Sequence, residues 1–351
     1  MKTAVPPSRG LALLAPEAGL AETVRWSVAH AVLAPSLMNS QPWSFRARVD
    51  EHSGTGTIEV YLDRDRVLRH LDPTAREAVL ACGAALLNLR LALHGASVGS
   101  SLRLCPDPAT PDLLAVLVLR GRSREDSREW VLRDAVPRRA TCRQRFESGD
   151  LSDEALDHLV AEAAYEGALL SVLDEEQGRA AREAGAIART RAAGDEDYAT
   201  DLATWTRSNL DDAVDGLPGW AHGQGLFASL EEAARLRRGT STVADDEAAR
   251  ELQEPGHLVV IGSSGEDREA VLRAGSGLQR VLLRTTALGF AARFLDEALR
   301  YADTRTALGR VAQLDHPQCL LHLGCAEPLP TTRRRPVADV LALTETKEVA
   351  P

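Results

Sequence analysis

The residues best suited to chemistry fall into three short clusters. Residues 33–45 read LAPSLMNSQPWSF: a helix ends near Ala34, Pro35 and Ser36, small polar side chains follow, and Pro42 and Trp43 lead into a strand. Such a turn is rich in side-chain donors and acceptors. Taken alone, it is equally a loop around a buried tryptophan. Residues 136–146, VPRRATCRQRF, set Arg138, Arg139 and Arg143 around Thr141, with Arg145 following. Guanidinium groups so spaced neutralise a phosphate through charge-assisted, bidentate hydrogen bonds, each contributing roughly 1.5–3 kcal/mol. A solvated basic linker has the same composition. Residues 330–340, PTTRRRPVADV, carry Arg333, Arg334 and Arg335. In an acidic chain, two distant arginine clusters are economically explained by one shared anion, and either is also explained by a surface patch. Cys319, His322 and Cys325 are metal-ligand types, but they lie in QCLLHLGC, a strand-like run whose alternate side chains face opposite ways. No metal site is expected there.

Bulk properties narrow the class. The chain has 351 residues, enough for two domains that each bury a core. Hydrophobic residues make up 44%, an ordinary globular share, and the wealth of Ala, Leu and Arg favours helices. A net charge of −10 argues against nucleic acid or an anionic membrane as the main partner, because both demand a positive field. No stretch approaches a membrane-spanning helix, and the apolar run LALLA near the N-terminus is too short for a signal-peptide core. Five scattered cysteines, an odd number, read as reduced thiols of a cytoplasmic protein.

The elements that must position these clusters occur twice. Residues 76–83 read REAVLACG and residues 268–275 read REAVLRAG, and the register continues without a gap, matching Gly83 with Gly275 and Leu86 with Leu278. Both segments have helical spacing with small residues where close packing needs them. An apolar strand precedes each (TIEVYL, HLVVIG) and another follows (LLAVLVL, QCLLHLG). Strand–helix–strand thus recurs, the mark of a tandem duplication. The boundary falls near 121–137, a charged stretch closing with a proline. After it, Ser152 caps a helix with an acidic first turn. Residues 175–215 read as exposed helices, and 215–225, DGLPGWAHGQG, as a Gly/Pro-punctuated loop.

With these motifs in view, the chain resembles the FMN-dependent nitroreductases. LAPSLMNSQPWSF is similar to their proline–serine–asparagine–glutamine–proline–tryptophan segment, RRATCR to their arginine–serine–basic phosphate signature, and LGCAEPLPTTRRRP to their C-terminal glycine strand with basic residues. GSGLQRVLLRTTALG resembles their central dimer helix. The resemblance implies an α+β fold and homodimers whose FMN lies between subunits. Here the first half keeps the proline–serine–asparagine segment, and the second keeps both basic elements. One composite site therefore survives and its twin is lost. That organisation resembles the Acg-type nitroreductase-like proteins of actinobacteria, single-chain pseudo-dimers with one FMN. The implied layout is an extension over 1–20, a first repeat over 21–130, and a second over 131–345 with a lid at about 205–225 containing Trp205, Pro218 and Trp220.

Residue by residue, the resemblance implies that Pro35, Ser36, Leu37 and Asn39 line the flavin. Arg139, Thr141 and Arg143 hold its phosphate, ribityl chain and ring edge, and some of Arg333, Arg334 and Arg335 close on the phosphate. The flavin N5 region meets a backbone N–H near Leu295 and Asp296. Where the family has a lysine by N1/O2, the nearest counterpart is Glu251, beside Arg250. The implied function is FMN-dependent oxidoreduction by hydride transfer at N5, with NAD(P)H as a donor and no essential protein nucleophile or acid. It reduces a nitro or quinone group, or dehydrogenates a biosynthetic intermediate. The rivals are a flavin-sequestering store and a structural pseudo-dimer without flavin. The protein is expected to be a monomeric pseudo-dimer or a higher homo-oligomer of such units.

Overall fold

The computed structural model describes residues 11, 14–15, 17–122, 127–207, 213–218, 254–326 and 331–346. Helix α1 (Leu20–Ala31) is followed by strands β1 (Trp43–Asp50) and β2 (Thr55–Leu62), helix α2 (Arg76–Gly95), and strands β3 (Val98–Leu104) and β4 (Leu113–Arg122). Helices α3 (Ser127–Ala135) and α4 (Asp153–Tyr165) precede β5 (Leu169–Val172), α5 (Glu175–Ala193), α6 (Glu196–Trp205) and the two-residue strands β6 (Thr206–Arg207) and β7 (Leu217–Pro218). Then come β8 (His257–Gly262), α7 (Arg268–Ala287), β9 (Ala291–Phe294), α8 (Ala302–Ala312), β10 (Pro317–Gly324), α9 (Val337–Val340) and β11 (Leu341–Thr346). This is an α+β architecture.

Two main sheets flank a pair of central helices. The first has the order β11-β1-β2-β4-β3 and the second β5-β8-β10-β9. Leaving β11 aside, the two orders correspond strand for strand, and every neighbouring pair within them is antiparallel. Each has its long helix inserted at the same point, α2 after β2 and α7 after β8. The helices meet reciprocally. A Cβ on Gly83 would lie 2.2 Å from the Leu272 carbonyl oxygen, and one on Gly275 would lie 2.0 Å from that of Leu80. Only glycine permits so close an approach of two backbones. Ser276 Oγ donates to the Gly83 carbonyl at 3.0 Å, and Gln279 Nε2 to Asn88 Oδ1 at 2.8 Å, so two polar pairs bridge the contact.

Local chemistry explains several boundaries. Ser152 accepts from the Ala155 N–H and starts α4, and Asp267 does the same for α7 through Ala270. Both acidic first turns suit the helix dipole. The apolar run HLVVIG becomes β8, buried over its last five residues, as a strand covered on both faces must be.

The fold corrects three expectations and adds one strand. Residues 127–135, within the charged boundary stretch, form α3: Leu132 and Ala135 are fully buried, a narrow apolar stripe hidden among charges. Strand β3 was not foreseen, because its half-buried edge carries a weak pattern. Helix α5 is not simply exposed, since its small residues Ala181, Ala184 and Ala188 face the core. Helix α2 is long and apolar enough to cross a membrane, contrary to the sequence expectation. Most of its side chains are buried against α7 and the first sheet, as befits a core helix.

Candidate functional site

Past the end of α1, the chain turns sharply into β1. Met38, Asn39 and Gln41 adopt φ near +50°, the left-handed region that non-glycine residues rarely occupy. Three such residues in four positions store strain of order 1 kcal/mol each, held by the surroundings. Ser36 Oγ accepts from the Gln41 N–H at 2.9 Å and closes the turn. Pro35, Asn39, Ser40 and Gln41 are buried, with Ser36 and Leu37 partly so.

Two basic segments converge on this turn. Arg139, 2% exposed, reaches back from the end of α3 with Nη2 3.4 Å from the Leu33 carbonyl and Nη1 3.4 Å from Thr141 Oγ1. From the C-terminal segment, Arg334 donates to the Ala34 carbonyl at 3.2 Å. The Arg333 carbonyl accepts from Asn39 Nδ2 at 3.2 Å, and the Arg335 N–H donates to Gln41 Oε1 at 2.8 Å. All three sequence clusters are therefore joined by hydrogen bonds, although they are far apart along the chain.

The arginines divide by environment. Arg138 turns outward to Asp134 at 2.9 Å. Arg335 lies 3.6 Å from Asp63 and donates to the Asp339 carbonyl, so it serves the fold, and burial lowers its pKa. The Arg333 side chain is exposed. Arg143 differs from all of these. It has neither an ion pair nor a hydrogen bond among the described residues, and burial pushes its guanidinium down to about 10. Some of its surface remains open. A cation so placed is suited to an anionic ligand, because burial without a counter-charge is costly.

Leu295 and Asp296 follow β9, whose Ala292 pairs with Thr141. The Leu295 N–H donates to the Leu320 carbonyl at 2.9 Å, which leaves the Asp296 amide as the available donor of the two. The Asp296 carboxyl accepts from the Leu320 N–H at 2.9 Å and is pushed up to about 8 by burial and by Glu77. No hydrogen bond among the described residues joins this pair to the other three segments. Cys319, beside Asp296, and His322, beside Arg293, belong to the core. Glu251 and Arg250 lie outside the described residues, as does Trp220 with Gly219, Gly223 and Gly225.

Four residues escaped the sequence analysis: Gln41, Asp215, Arg293 and Glu254. Gln41 lies within LAPSLMNSQPWSF. Arg293 and Glu254 carry no local signal, because their partners are remote in sequence, and Asp215 has one near partner, Arg207, and one remote, Arg66. Asp215 pairs with Arg66 and, at 2.7 Å, with Arg207. Its strap bonds the strained turn directly, through Gln41 Nε2 to the Val214 carbonyl at 2.8 Å and Asn39 Nδ2 to that of Gly216 at 3.2 Å. Above the turn, Met38, Leu68 and Leu71 pack against Tyr198, Leu202, Trp205 and Leu217.

This α+β arrangement, with two basic segments meeting one strained turn, has relatives over nearly its whole length. A Mycobacterium tuberculosis protein named "Putative NAD(P)H nitroreductase Rv3131" is 31% identical over 341 residues, covering 93% of this chain and 92% of that protein. The protein named "Putative NAD(P)H nitroreductase acg" of the same organism is 27% identical over 325 residues, 91% of this chain and 95% of its own. The chain belongs to this NAD(P)H nitroreductase family. No family model matches it. Among solved structures, a "putative nitroreductase" from Anabaena variabilis covers 95% of this chain and 94% of its own at 11% identity, with a TM-score of 0.46. A Desulfitobacterium hafniense nitroreductase with bound FMN covers 60% of this chain and 95% of its own at 16% identity and a TM-score of 0.37.

Proposed function

We propose that the chain carries two copies of one fold and binds a single FMN between them, acting as an oxidoreductase on a small nitro- or quinone-type acceptor with NAD(P)H as donor. The observation that carries this is Arg143: a largely buried guanidinium without a counter-charge among the described residues, in a segment hydrogen-bonded to a turn on which the second basic segment also converges. The duplication is supported by the matched strand orders and the reciprocal Gly83 and Gly275 contacts. FMN, when bound, supplies two-electron hydride chemistry at its N5. Arg139 and Arg334 would hold its phosphate, and the strained turn at Pro35–Asn39 would line it. Arg143 would face the charge that develops on reduction, a preorganised electrostatic role. The Asp296 amide would offer a donor to N5. All five cysteines are free thiols, which supports a cytoplasmic setting.

Denaturing the purified protein is expected to release one equivalent of FMN per chain, and anaerobic NADH or NADPH to bleach the flavin band. Release of FAD, two equivalents, or no flavin after reconstitution would overturn the proposal.

A flavin-sequestering role is the second reading, and the strap at 213–218 favours it. In that role the strap and the Trp205 cluster are a lid. Hydrogen bonds from Arg66 and Arg207 keep the Asp215 carboxyl below its ordinary value despite its burial, so the latch holds at neutral pH and is lost as pH falls through that lowered value. Asp215→Asn removes both ion pairs. A loss of ~1.4 kcal/mol would favour the open lid roughly tenfold and speed reduction of the bound flavin by a nicotinamide accordingly. Stopped-flow reduction at unchanged FMN occupancy measures this. An unchanged rate removes the lid.

A further inference from the structure

We infer that Arg293 and Glu254 form a buried positioning pair that directs the Arg143 charge, an assignment that rests on the flavin reading above. The segment from Thr141 to Phe146 runs beside β9, where the Cys142 N–H donates to the Ala292 carbonyl at 2.8 Å. Just beyond Arg143, two side chains of opposite charge grip it. Arg293 Nη1 donates to the Gln144 carbonyl at 3.2 Å, and Glu254 Oε1 accepts from the Phe146 N–H at 2.6 Å. Arg293 and Glu254 are also paired with each other, and both are 7% exposed.

The surroundings complete the clamp. Arg293 Nη2 lies 3.0 Å from His322 Nδ1. Burial, together with Arg182 and Arg293, drives the pKa of His322 down to about 2, so the ring is neutral and Nδ1 accepts. The Arg293 guanidinium lies 5.3 Å from the centre of the Phe146 ring, and that ring meets His322 edge-on at 4.8 Å. Arg143 is thus one residue before the Gln144 carbonyl that Arg293 holds and three before the Phe146 N–H that Glu254 holds, and the pair fixes the backbone that carries it.

The consequence is a competition for Glu254. Arg293 satisfies its carboxylate, and Arg143, three residues before Phe146, has no carboxylate partner among the described residues and is left for the anionic cofactor. Without Arg293, a bare buried carboxylate would stand under the segment and draw Arg143 toward itself. Less positive charge would then face the flavin. Without the Glu254 charge, the reverse holds. Gln still accepts from the Phe146 N–H, Arg293 keeps Gln144 and His322, and one uncompensated positive charge is gained.

The two neutral substitutions are therefore expected to move the bound flavin in opposite directions. Arg293→Gln should disfavour flavin reduction roughly tenfold in its two-electron equilibrium, about 30 mV, and weaken FMN. Glu254→Gln should favour reduction by a similar factor. Arg293→Lys keeps the charge but cannot reach all three partners, so it should lower thermal stability and leave the potential near wild type. Dye-equilibrated potentiometry with parallel melting curves measures all three. Potentials that stay put, or that move together, overturn the assignment while leaving the flavin reading intact. If Arg293→Gln fails to fold, a raised potential in Glu254→Gln against an unmoved Arg293→Lys supports it, and the absence of that contrast overturns it. A wild-type protein that takes up no flavin defeats both readings at once.

Discussion

Arg139→Ala is expected to weaken FMN binding by roughly 10- to 100-fold and riboflavin binding by less than about threefold. The two ligands differ only in the phosphate, so the contrast isolates the anion. Arg139 is almost wholly buried, and its contacts to Leu33 and Thr141, both 3.4 Å, sit at the long end of hydrogen-bonding range. A phosphate offers shorter, charge-assisted bonds, each contributing roughly 1.5–3 kcal/mol. Removing the guanidinium also loosens the end of α3 against the turn after α1, and that loss affects both ligands alike. Taking the ratio of the two affinities within the variant cancels it. Fluorescence titration of apoprotein with each flavin provides the numbers. Equal weakening of FMN and riboflavin would assign Arg139 to the fold alone.

The sequence made some of this arrangement legible for physical reasons that can be named. HLVVIG is apolar on both faces and has few alternatives to a buried strand, and it forms β8 over those same residues. Ser152 before an acidic turn caps α4 as expected. The repeated REAVL segments revealed the paired helices α2 and α7, because glycine at matching positions marks a close approach. The three polar clusters were visible as motifs, and the structure joins them by hydrogen bonds.

What stayed hidden depends on partners remote in sequence. LALTET alternates weakly, and it becomes β11 only because the free edge of β1 accepts it in parallel, Phe45 opposite Leu341. The C-terminal strand thus sits in the first sheet, which no division at residue 130 anticipates. Asp215, Arg293 and Glu254 are ordinary charged residues until Arg66, Gln144 and Phe146 are brought beside them. Helix α3 carries its apolar stripe among charges, so the stretch reads only as a charged boundary.

The contact between α2 and α7 should be the least forgiving place in the molecule. Gly275→Ala would set a methyl group 2.0 Å from the Leu80 carbonyl oxygen, and Gly83→Ala one 2.2 Å from that of Leu272. Both obstacles are backbone, so no side chain can rotate away and the helices must separate. Overpacking of this kind costs about 1–3 kcal/mol and sometimes more. The gain in helix propensity from replacing glycine, up to about 1 kcal/mol, offsets only part of it. Separation would also stretch the Ser276–Gly83 and Gln279–Asn88 bonds, leaving buried polar groups unsatisfied. Each variant is expected to lose about 2 kcal/mol, or several degrees of melting temperature in a chain of this size. The double variant should lose clearly less than the sum, because one separation of the helices relieves both clashes and neighbouring sites couple. Parallel denaturation of the wild type, both single variants and the double variant completes the cycle. Strict additivity would mean that the two glycines do not face a common contact, and a stabilised single variant would mean that the backbones are not so close.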